Sequence, residues 1–221
     1  MKTVKGLVVA ISSALLVLPL AASAYEKGDM LLKFGAASVN PKSTSDDIKG
    51  MPGQPVTADD EVQVGISGTY MLSSKLGIEL LAATPFSHQI DGKGGALNGA
   101  DIGSVKHLPP TLSAQYYFMG SQGQFKPYVG AGINYTVFFD EEAGAGSQGL
   151  GYNKLDLDDS FGLAAQIGLD YQINKKWMLN ASAMYAKIGT TATLSGNGIA
   201  DLNVDYDLDP MVYRLNVGMT F

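Results

Sequence analysis

The sequence predicts an all-β protein: an eight-stranded antiparallel transmembrane β-barrel with an up-and-down meander, long extracellular loops and short periplasmic turns. Three observations support this fold class. Apolar and polar residues alternate in eight segments of the chain, as expected of strands whose two faces differ. Long and short connections alternate between these segments, and aromatic residues gather near both ends of them, which is the pattern of outer-membrane barrels.

Residues 1–24 have the pattern of a cleaved signal peptide. Two lysines are followed by an apolar run, 6–20, and by a small-x-small pattern that ends at Ala24, where we expect cleavage. Residues 25–221 contain no second apolar run long enough to cross a bilayer as a helix, which takes about 20 residues. We therefore expect a single exported barrel domain over 25–221.

Composition excludes several classes of function. The chain has 221 residues, with 15 Lys and Arg against 21 Asp and Glu, and it has no Cys. An acidic balance without a basic stripe argues against nucleic-acid binding. The lack of Cys excludes disulfides, thiol catalysis and Cys-ligated zinc, and no motif in the chain indicates a cofactor.

The eight alternating segments are joined by connections of two kinds. The segments are 30–39, 62–70, 76–86, 112–118, 125–137, 161–171, 177–185 and 211–221. Long connections rich in Gly and Asp at 40–59, 89–104, 140–156 and 193–203 alternate with short ones at 72–75, 119–124 and 174–176. About eleven residues at roughly 3.3 Å each, tilted by about 45°, span about 25 Å, the height of a lipid-facing band. A soluble antiparallel sandwich also alternates, but it gives no reason for the uneven connections.

Aromatic residues on the apolar side of the segments form two expected girdles. One set lies beside the short turns: Tyr70, Tyr116, Phe118, Phe125, Tyr171, Trp177 and Phe221. A second set lies toward the long connections: Phe86, Tyr135, Phe139, Phe161, Tyr185 and Tyr213. Such girdles mark the two interfaces of the membrane. The final strand ends on Phe221, which resembles the signal read by outer-membrane assembly machinery, so this machinery and outer-membrane lipids are expected partners.

Four stretches resemble the OmpW family of Gram-negative outer-membrane proteins. They are GIELLAATPF at 77–86, HLPPTL at 107–112, FKPYVGAGINYT at 125–136 and DLDP at 207–210, together with the terminal Phe. The resemblance covers nearly all of 25–221 and is weakest in the long loops. It implies an eight-stranded barrel in the cell outer membrane that helps small hydrophobic compounds to cross, with alkane-import proteins as relatives. It also implies that some members serve as bacteriocin or phage receptors.

The polar side of the segments indicates what fills the barrel. It places six charged residues inside: Lys33, Glu61, Glu79, Lys126, Asp170 and Arg214. All but Glu61 fall in the half near the short turns, where buried charges have to pair. In the other half the same side is apolar, at Leu81, Ala83, Ala164, Met184, Ala186, Ile188 and Val212. We predict an apolar lumen above a charged floor of Lys33, Glu79, Lys126, Asp170 and Arg214.

An interior of this size leaves two interpretations open. An eight-stranded barrel is just wide enough for its own side chains or one small ligand, so an open aqueous channel is not expected. The inward residues could simply fill the barrel. Alternatively, the apolar half is an entrance funnel for passive uptake of small hydrophobic molecules, narrowed by Leu81 and Met184.

Three prolines suggest an exit through the barrel wall. Pro85 lies near the end of the third segment, and Pro109 and Pro110 precede the fourth, its hairpin partner. Proline has no N–H, so the ladder between these strands cannot be complete, and unsatisfied backbone groups are costly in lipid. A lateral opening to the bilayer is one hypothesis, and a bulge that shapes the rim is the other.

Catalysis is a competing function that the sequence supports only weakly. His88 and His107 flank a connection that also contains Asp91, Asp101 and Ser104, groups that a hydrolase could combine. Histidines near a membrane rim are more often hydrogen-bonded polar residues, and we expect no enzyme.

Two further interpretations concern the extracellular side. Acidic residues there could bind Ca²⁺ but do not match the EF-hand pattern, and we expect them to be solvated: Asp156, Asp158, Asp159, Asp201, Asp205, Asp207 and Asp209. The alternative to transport is a structural or receptor-type barrel, stress-related or used by bacteriocins or phages. Uptake of an apolar solute distinguishes the two functions.

Overall fold

The computed structural model describes residues 25–41, 55–118 and 123–221, so the expected signal peptide lies outside the described residues. Fourteen strands occur in these ranges. They are β1 (Met30–Asn40), β2 (Val56–Ala58), β3 (Glu61–Met71), β4 (Leu76–Ala83), β5 (Phe86–Gly92), β6 (Asp101–Leu108), β7 (Thr111–Tyr117), β8 (Phe125–Ala143), β9 (Tyr152–Leu157), β10 (Ser160–Gln172), β11 (Trp177–Ala186), β12 (Gly189–Gly196), β13 (Leu202–Asp207) and β14 (Met211–Thr220). A 3₁₀ turn covers Gly95–Leu97 and a short helix, α1, covers Ala145–Gly149. Within the same ranges, no helix is long and apolar enough to cross a membrane.

Eight of these strands close into an antiparallel barrel. In order around the wall they are β1, β3, β4, β7, β8, β10, β11 and β14, and β14 pairs with β1 to complete the ring. The closing ladder runs from Leu31 opposite Thr220 to Asn40 opposite Met211. Because each strand pairs with the preceding and the following wall strand, the predicted eight-stranded meander is confirmed.

The alternation of residue types sets the two faces of the wall. On β1, Leu31, Lys33 and Ala37 are buried inside the barrel, whereas Leu32 and Phe34 are exposed on the outside. The same alternation runs around the ring, with large apolar side chains outside, and with polar side chains inside the lower half and apolar ones inside the upper half. The apolar outer face suits a surface solvated by lipid.

Exposed aromatic residues surround the outside at two levels. The lower set is Tyr70, Tyr116, Phe118, Phe125, Trp177 and Phe221, and the upper set is Tyr135, Phe161, Tyr185 and Tyr213. The prediction that Phe86 belongs to the upper girdle is wrong, because Phe86 is 2% exposed and lies inside. Its strand begins after the break at Thr84 and Pro85 with its parity shifted by one residue, which turns Phe86, His88 and Ile90 inward.

The long connections carry additional strands that continue the wall above the membrane band. β5 and β6 form a hairpin that also pairs with β2 and with the upper end of β8. β9, β12 and β13 form a separate three-stranded sheet. Ile90, Leu155 and Val204 on these strands are buried, so an apolar core extends upward from the lumen of the barrel.

The lowest part of the interior is filled mainly by tyrosine rings. Tyr25, Tyr117 and Tyr128 are at most 1% exposed, and the Tyr117 ring centroid lies 5.2 Å from that of Tyr25 and 5.0 Å from that of Tyr128. Gly168 makes room for this packing, because a Cβ at position 168 would overlap the ring of Tyr128. The periplasmic end of the lumen is therefore closed by side chains.

Candidate functional site

The charged residues predicted for the floor are all buried inside the lower half of the barrel. Arg214 is at the centre of one group: its Nη2 donates to Gln166 Oε1 at 2.6 Å and lies 3.5 Å from Glu79 Oε2, and its Nε donates to Ser182 at 2.9 Å. Gln166 also donates to Glu79 at 2.9 Å. These contacts join β4, β10, β11 and β14 across the lumen. Glu61 lies apart from them, half-buried at the beginning of β3.

Asp170 on β10 is the centre of a second group. Lys33 Nζ lies 3.3 Å from Asp170 Oδ1, and the Asn180 amide donates to the same oxygen at 2.7 Å. The Tyr25 hydroxyl donates to Asp170 Oδ2 at 2.8 Å. Lys126 Nζ lies 4.3 Å from the centroid of the Tyr25 ring, which is a cation–π contact. Each buried charge in this layer therefore faces an opposite charge or an aromatic ring.

The tyrosines of this layer were not predicted from the sequence. Tyr117 lies between the outward-facing Tyr116 and Phe118, so alternation alone could have placed it inside. The same rule places Tyr128 inside on β8. Tyr25 precedes the first strand, where alternation gives no information.

A small apolar cavity, which we call the lower cavity, lies above the charged layer. Its volume is about 30 Å³, and Leu81, Met184 and Val212 contribute to its interior wall. Ala83 and Pro109 line it on the side of the barrel wall. The cavity therefore reaches from the lumen to the wall between β4 and β7, although it has room for only about two water molecules.

The wall is incomplete where β4 and β7 meet the upper hairpin. The ladder between β4 and β7 ends at Leu81 opposite Thr111, and the ladder between β5 and β6 begins at Phe86 opposite His107. The residues between these pairs form no ladder pairs with each other and are called the wall gap: 82–85 and 108–110. The three prolines singled out in the sequence lie in it: Pro85, Pro109 and Pro110.

Both margins of the wall gap are bonded to the strands on their far sides. On one margin, the Thr84 N–H donates to the Val64 carbonyl at 3.0 Å. On the other margin, the Asn134 side-chain amide donates to the carbonyls of Pro109 and Pro110 at 3.1 and 3.3 Å. The two edges are thus fixed by β3 and β8, and the hydrogen bonds of each edge point away from the gap.

His88 and His107 lie above the lower cavity on the two strands of the upper hairpin. Their rings are stacked, with centroids 5.0 Å apart and planes at 13°, and each residue is 1% exposed. Ser104 is on the opposite, outward face of β6, paired with Gln89. The Asp101 carboxylate accepts a hydrogen bond from Gln89 at 2.6 Å. The arrangement does not bring a histidine, an acid and a serine together.

The two histidines lie beyond the membrane-spanning part of the wall. Beside His107, Lys106 points outward and pairs with Asp140 at 3.1 Å, and both side chains are well exposed. Burial lowers the pKa of His107 to about 3 and also lowers the pKa of His88. Both rings are therefore neutral near pH 7.

The acidic residues of the extracellular side lie around an open depression. Asp158, Asp159, Asp205 and Asp207 line it. Some of them have partners within the protein, such as Asp159, which accepts a hydrogen bond from the Tyr135 hydroxyl at 2.8 Å. In the described ranges, no group of three or more acidic or histidine side chains could hold a metal ion.

Comparisons with known proteins agree with this architecture. The model of the OmpW family matches residues 26–221. Outer membrane protein W of Vibrio cholerae is 43% identical over 199 residues, which cover 90% of this chain and 91% of that protein. Outer membrane protein AlkL of Ectopseudomonas oleovorans is 25% identical over 209 residues, or 92% of this chain and 86% of that protein.

A solved structure shows the same fold. The crystal structure of the outer membrane protein OprG from Pseudomonas aeruginosa is similar with a TM-score of 0.83 and 39% sequence identity, covering 90% of this chain and 98% of that one. Together with the family match, this establishes the resemblance first read from the four sequence stretches. The chain belongs to the OmpW family and is a β-barrel protein of the Gram-negative outer membrane.

Proposed function

We propose that this barrel passively takes up small hydrophobic molecules, which enter the apolar upper interior and leave sideways through the wall gap into the bilayer. The observation that carries the proposal is the position of the lower cavity, whose lining includes Leu81 and Met184 in the lumen and Pro109 in the wall gap. The cavity is almost entirely apolar in its lining, so it suits an apolar solute and offers little to a polar one.

The charged floor is the reason to propose a lateral exit. A solute that continued down the axis would meet the Arg214 and Asp170 groups and then the ring of Tyr25. Separating a buried ion pair costs several kcal/mol, and an apolar solute provides no replacement partner. The floor therefore favours a sideways route over passage to the periplasm.

The wall gap is the place where that route is cheapest. Elsewhere in the wall, a solute would have to break ladder hydrogen bonds, which are costly to leave unmade in lipid. In the gap, Pro109 and Pro110 have no N–H to offer, and their carbonyls are already bonded to Asn134. Opening the gap therefore requires side chains to move but does not require backbone hydrogen bonds between strands to break.

Leu81 and Met184 would then act as the constriction. The lower cavity, about 30 Å³, is much smaller than the roughly 150 Å³ cavity that accommodates benzene in another protein, so these side chains must move for a solute of that size to pass. Met has three flexible bonds and adapts readily to irregular contents. The chain is similar to AlkL, and the family resemblance implies alkane-import proteins among its relatives. Both support a hydrophobic cargo.

Uptake by cells tests the proposal directly. We would compare a small apolar solute with a polar one of similar size in cells that lack the protein and cells that express it. The variants are Leu81→Lys, which puts a charge in the cavity, and Ser87→Lys, which puts the same charge on an exposed position of β5 as a matched control. Expression should speed up only the apolar solute, and Leu81→Lys alone should remove the gain.

A second pair of variants tests the lateral exit. Replacing Pro109 and Pro110 together by Ala restores two N–H groups at the margin of the wall gap and should slow uptake of the apolar solute. Unchanged uptake would argue against the lateral route. If neither solute responds to expression, a structural or receptor-type barrel replaces the transport function, and if the polar solute responds equally, the floor does not block the axis.

A further inference from the structure

Two apolar cavities lie on either side of His88 along β5, and His107 stacks on His88 at this level. Phe86 on β5 lines the lower cavity together with His107. Ile90, two inward positions higher on β5, lines a second apolar cavity of about 20 Å³, which we call the upper cavity. His88 lies between Phe86 and Ile90 on the same inward face. On the β5 side of the interior, the stacked imidazole rings therefore lie between the upper and the lower cavity.

These rings carry nitrogens that have no partner. His88 Nδ1 lies 2.7 Å from the Asp59 carbonyl oxygen, so it is the N–H of that ring and Nε2 is a bare acceptor. His88 Nε2 and His107 Nδ1 are both buried without a hydrogen-bond partner. The neighbours of His107 include the Phe86 and Phe138 rings, with centroids at 5.4 and 5.8 Å, and these rings have no polar atom to bond Nδ1.

Asn134 is the other polar side chain in the lining of the lower cavity, and both its amide nitrogen and its oxygen are already hydrogen-bonded. The Asn134 amide nitrogen donates to the carbonyls of Pro109 and Pro110 and to Thr111 Oγ1. Its Oδ1 accepts from Thr136 at 2.7 Å. His107 is therefore the lining residue whose hydrogen-bonding capacity remains unused.

An unpaired buried nitrogen costs free energy unless a ligand or water satisfies it. Burial keeps both rings neutral, because it lowers the pKa of each, and a neutral imidazole has one donor and one acceptor. A hydroxyl group can donate or accept, so it satisfies His107 Nδ1 in either tautomer. A pure hydrocarbon leaves this nitrogen unpaired.

We propose that the stacked histidines form a recognition site for a small apolar molecule with a single hydroxyl group, an alcohol or a phenol, whose O–H binds His107 while its apolar body occupies the lower cavity once Leu81 and Met184 have moved aside. The inference rests on the proposed function for the route by which the molecule arrives. It adds a chemical preference to that route, because a hydroxylated solute gains a hydrogen bond where an alkane or arene gains none.

Imidazole nitrogen NMR tests binding without any transport measurement. The chain contains two His, so the full-length barrel, labelled with ¹⁵N-histidine and placed in lipid nanodiscs, gives signals from two rings only. We would add phenol and, separately, toluene, which has a methyl group in place of the hydroxyl. Phenol should shift the nitrogens of His107 and toluene should not, and His107→Gln identifies the signals. Equal shifts with both molecules, or none with phenol, would overturn the inference.

Uptake of the same two molecules separates this inference from the proposed function. In cells without general porins, His107→Phe should lower the ratio of phenol entry to toluene entry through the barrel by roughly three- to tenfold, the worth of one hydrogen bond. His107→Gln keeps a hydrogen-bonding side chain and should preserve phenol entry. If toluene enters through the barrel and His107→Phe slows both molecules alike, the hydroxyl preference is wrong. If phenol shifts His107 but neither molecule enters faster with the barrel, transport is wrong and recognition stands.

Discussion

The two halves of the barrel interior are held together by different forces. The lower half is joined by directional contacts, such as the 2.6 Å bond from Arg214 to Gln166 and the 2.8 Å bond from Tyr25 to Asp170. The upper half is joined by apolar contact and by two stacked histidines. Apolar contacts are non-directional, so the upper side chains can rearrange around a solute, whereas the lower ones cannot without separating charges.

Because of this difference, we expect substitutions in the two halves to affect the stability of the barrel and its uptake activity differently. Changes in the lower half should act mainly on the free energy of unfolding, and changes in the upper half should act on both unfolding and uptake. Unpaired polar atoms occur in both halves, but Glu79 Oε1 in the lower half belongs to a carboxylate whose other oxygen accepts a bond from Gln166. The unpaired Nδ1 of His107 belongs to a ring that packs against the rings of Phe86, His88 and Phe138.

The largest expected effect is on the charged floor. Arg214→Met leaves the Glu79 carboxylate buried without its cation and should lower the free energy of unfolding by about 3–5 kcal/mol. Urea unfolding of the purified barrel in detergent micelles measures the loss. The double variant Glu79→Gln with Arg214→Met should recover part of it, because the unpaired charge is gone. A loss below about 1 kcal/mol in the single variant would show that the pair is not a main support of the floor.

A smaller loss of stability and a gain of function are expected in the upper half. Met184→Ala removes a buried side chain that lines the lower cavity and should cost about 2–3 kcal/mol. Because the variant also widens the cavity, uptake of the apolar solute should become faster. Leu163→Ala is the matched control, since Leu163 is 69% exposed on the outer face. Uptake that is unchanged or slower in Met184→Ala would contradict its place on the route.

Acid should weaken the upper half through the histidines. The pKa of His107 is about 3 in the folded barrel against 6.5 when unperturbed, so the unfolded chain takes up its proton first as the pH falls. The stabilising contribution of the neutral ring is complete above pH 6.5 and is lost between about pH 6.5 and 3, by up to about 1.4 kcal/mol per pH unit. Urea midpoints between pH 7 and 5 should fall less steeply in His107→Gln. Equal slopes would refute this.

The smallest effect is expected from an ion pair on the outer surface of the upper wall. Lys106 and Asp140 form an ion pair at 3.1 Å with both side chains well exposed, and exposed pairs contribute about 0–1 kcal/mol. Lys106→Ala should therefore change neither the urea midpoint nor uptake appreciably. A change as large as that of Met184→Ala would mean that the upper hairpin depends on this pair.

Alternation was sufficient to predict the wall. It placed Lys33, Glu79, Asp170 and Arg214 inside because each lies on the polar side of a segment whose other side is apolar. It could not say which charge meets which. Arg214 reaches Glu79 across the lumen, and such a contact depends on the stagger between strands that are distant in sequence.

The upper interior was harder to predict because the parity changes there. The one-residue shift at Pro85 turns Phe86 and His88 inward, and a rule that continues the parity of β4 assigns them to the wrong face. The strands within the long connections were missed for another reason: their many Gly and Asp residues are typical of loops. The stacking of His88 on His107 needs both features and could not be inferred from spacing.

The closing ladder between β1 and β14 has a consequence for biogenesis. Leu31 in the first strand and Thr220 in the last strand of the chain are paired. The backbones of Met30 and Phe221 exchange two hydrogen bonds, of 3.1 and 2.9 Å. Pairing between positions so distant in sequence is slow, and until it forms, two strand edges are open to aggregation. Tyr25, five residues before β1, bonds to Asp170 of β10 and packs on Tyr117 of β7, so we expect it to take its buried place only when the ring has closed. Folding of this barrel should therefore end at its periplasmic floor, which makes sealing of the lumen the last step of assembly.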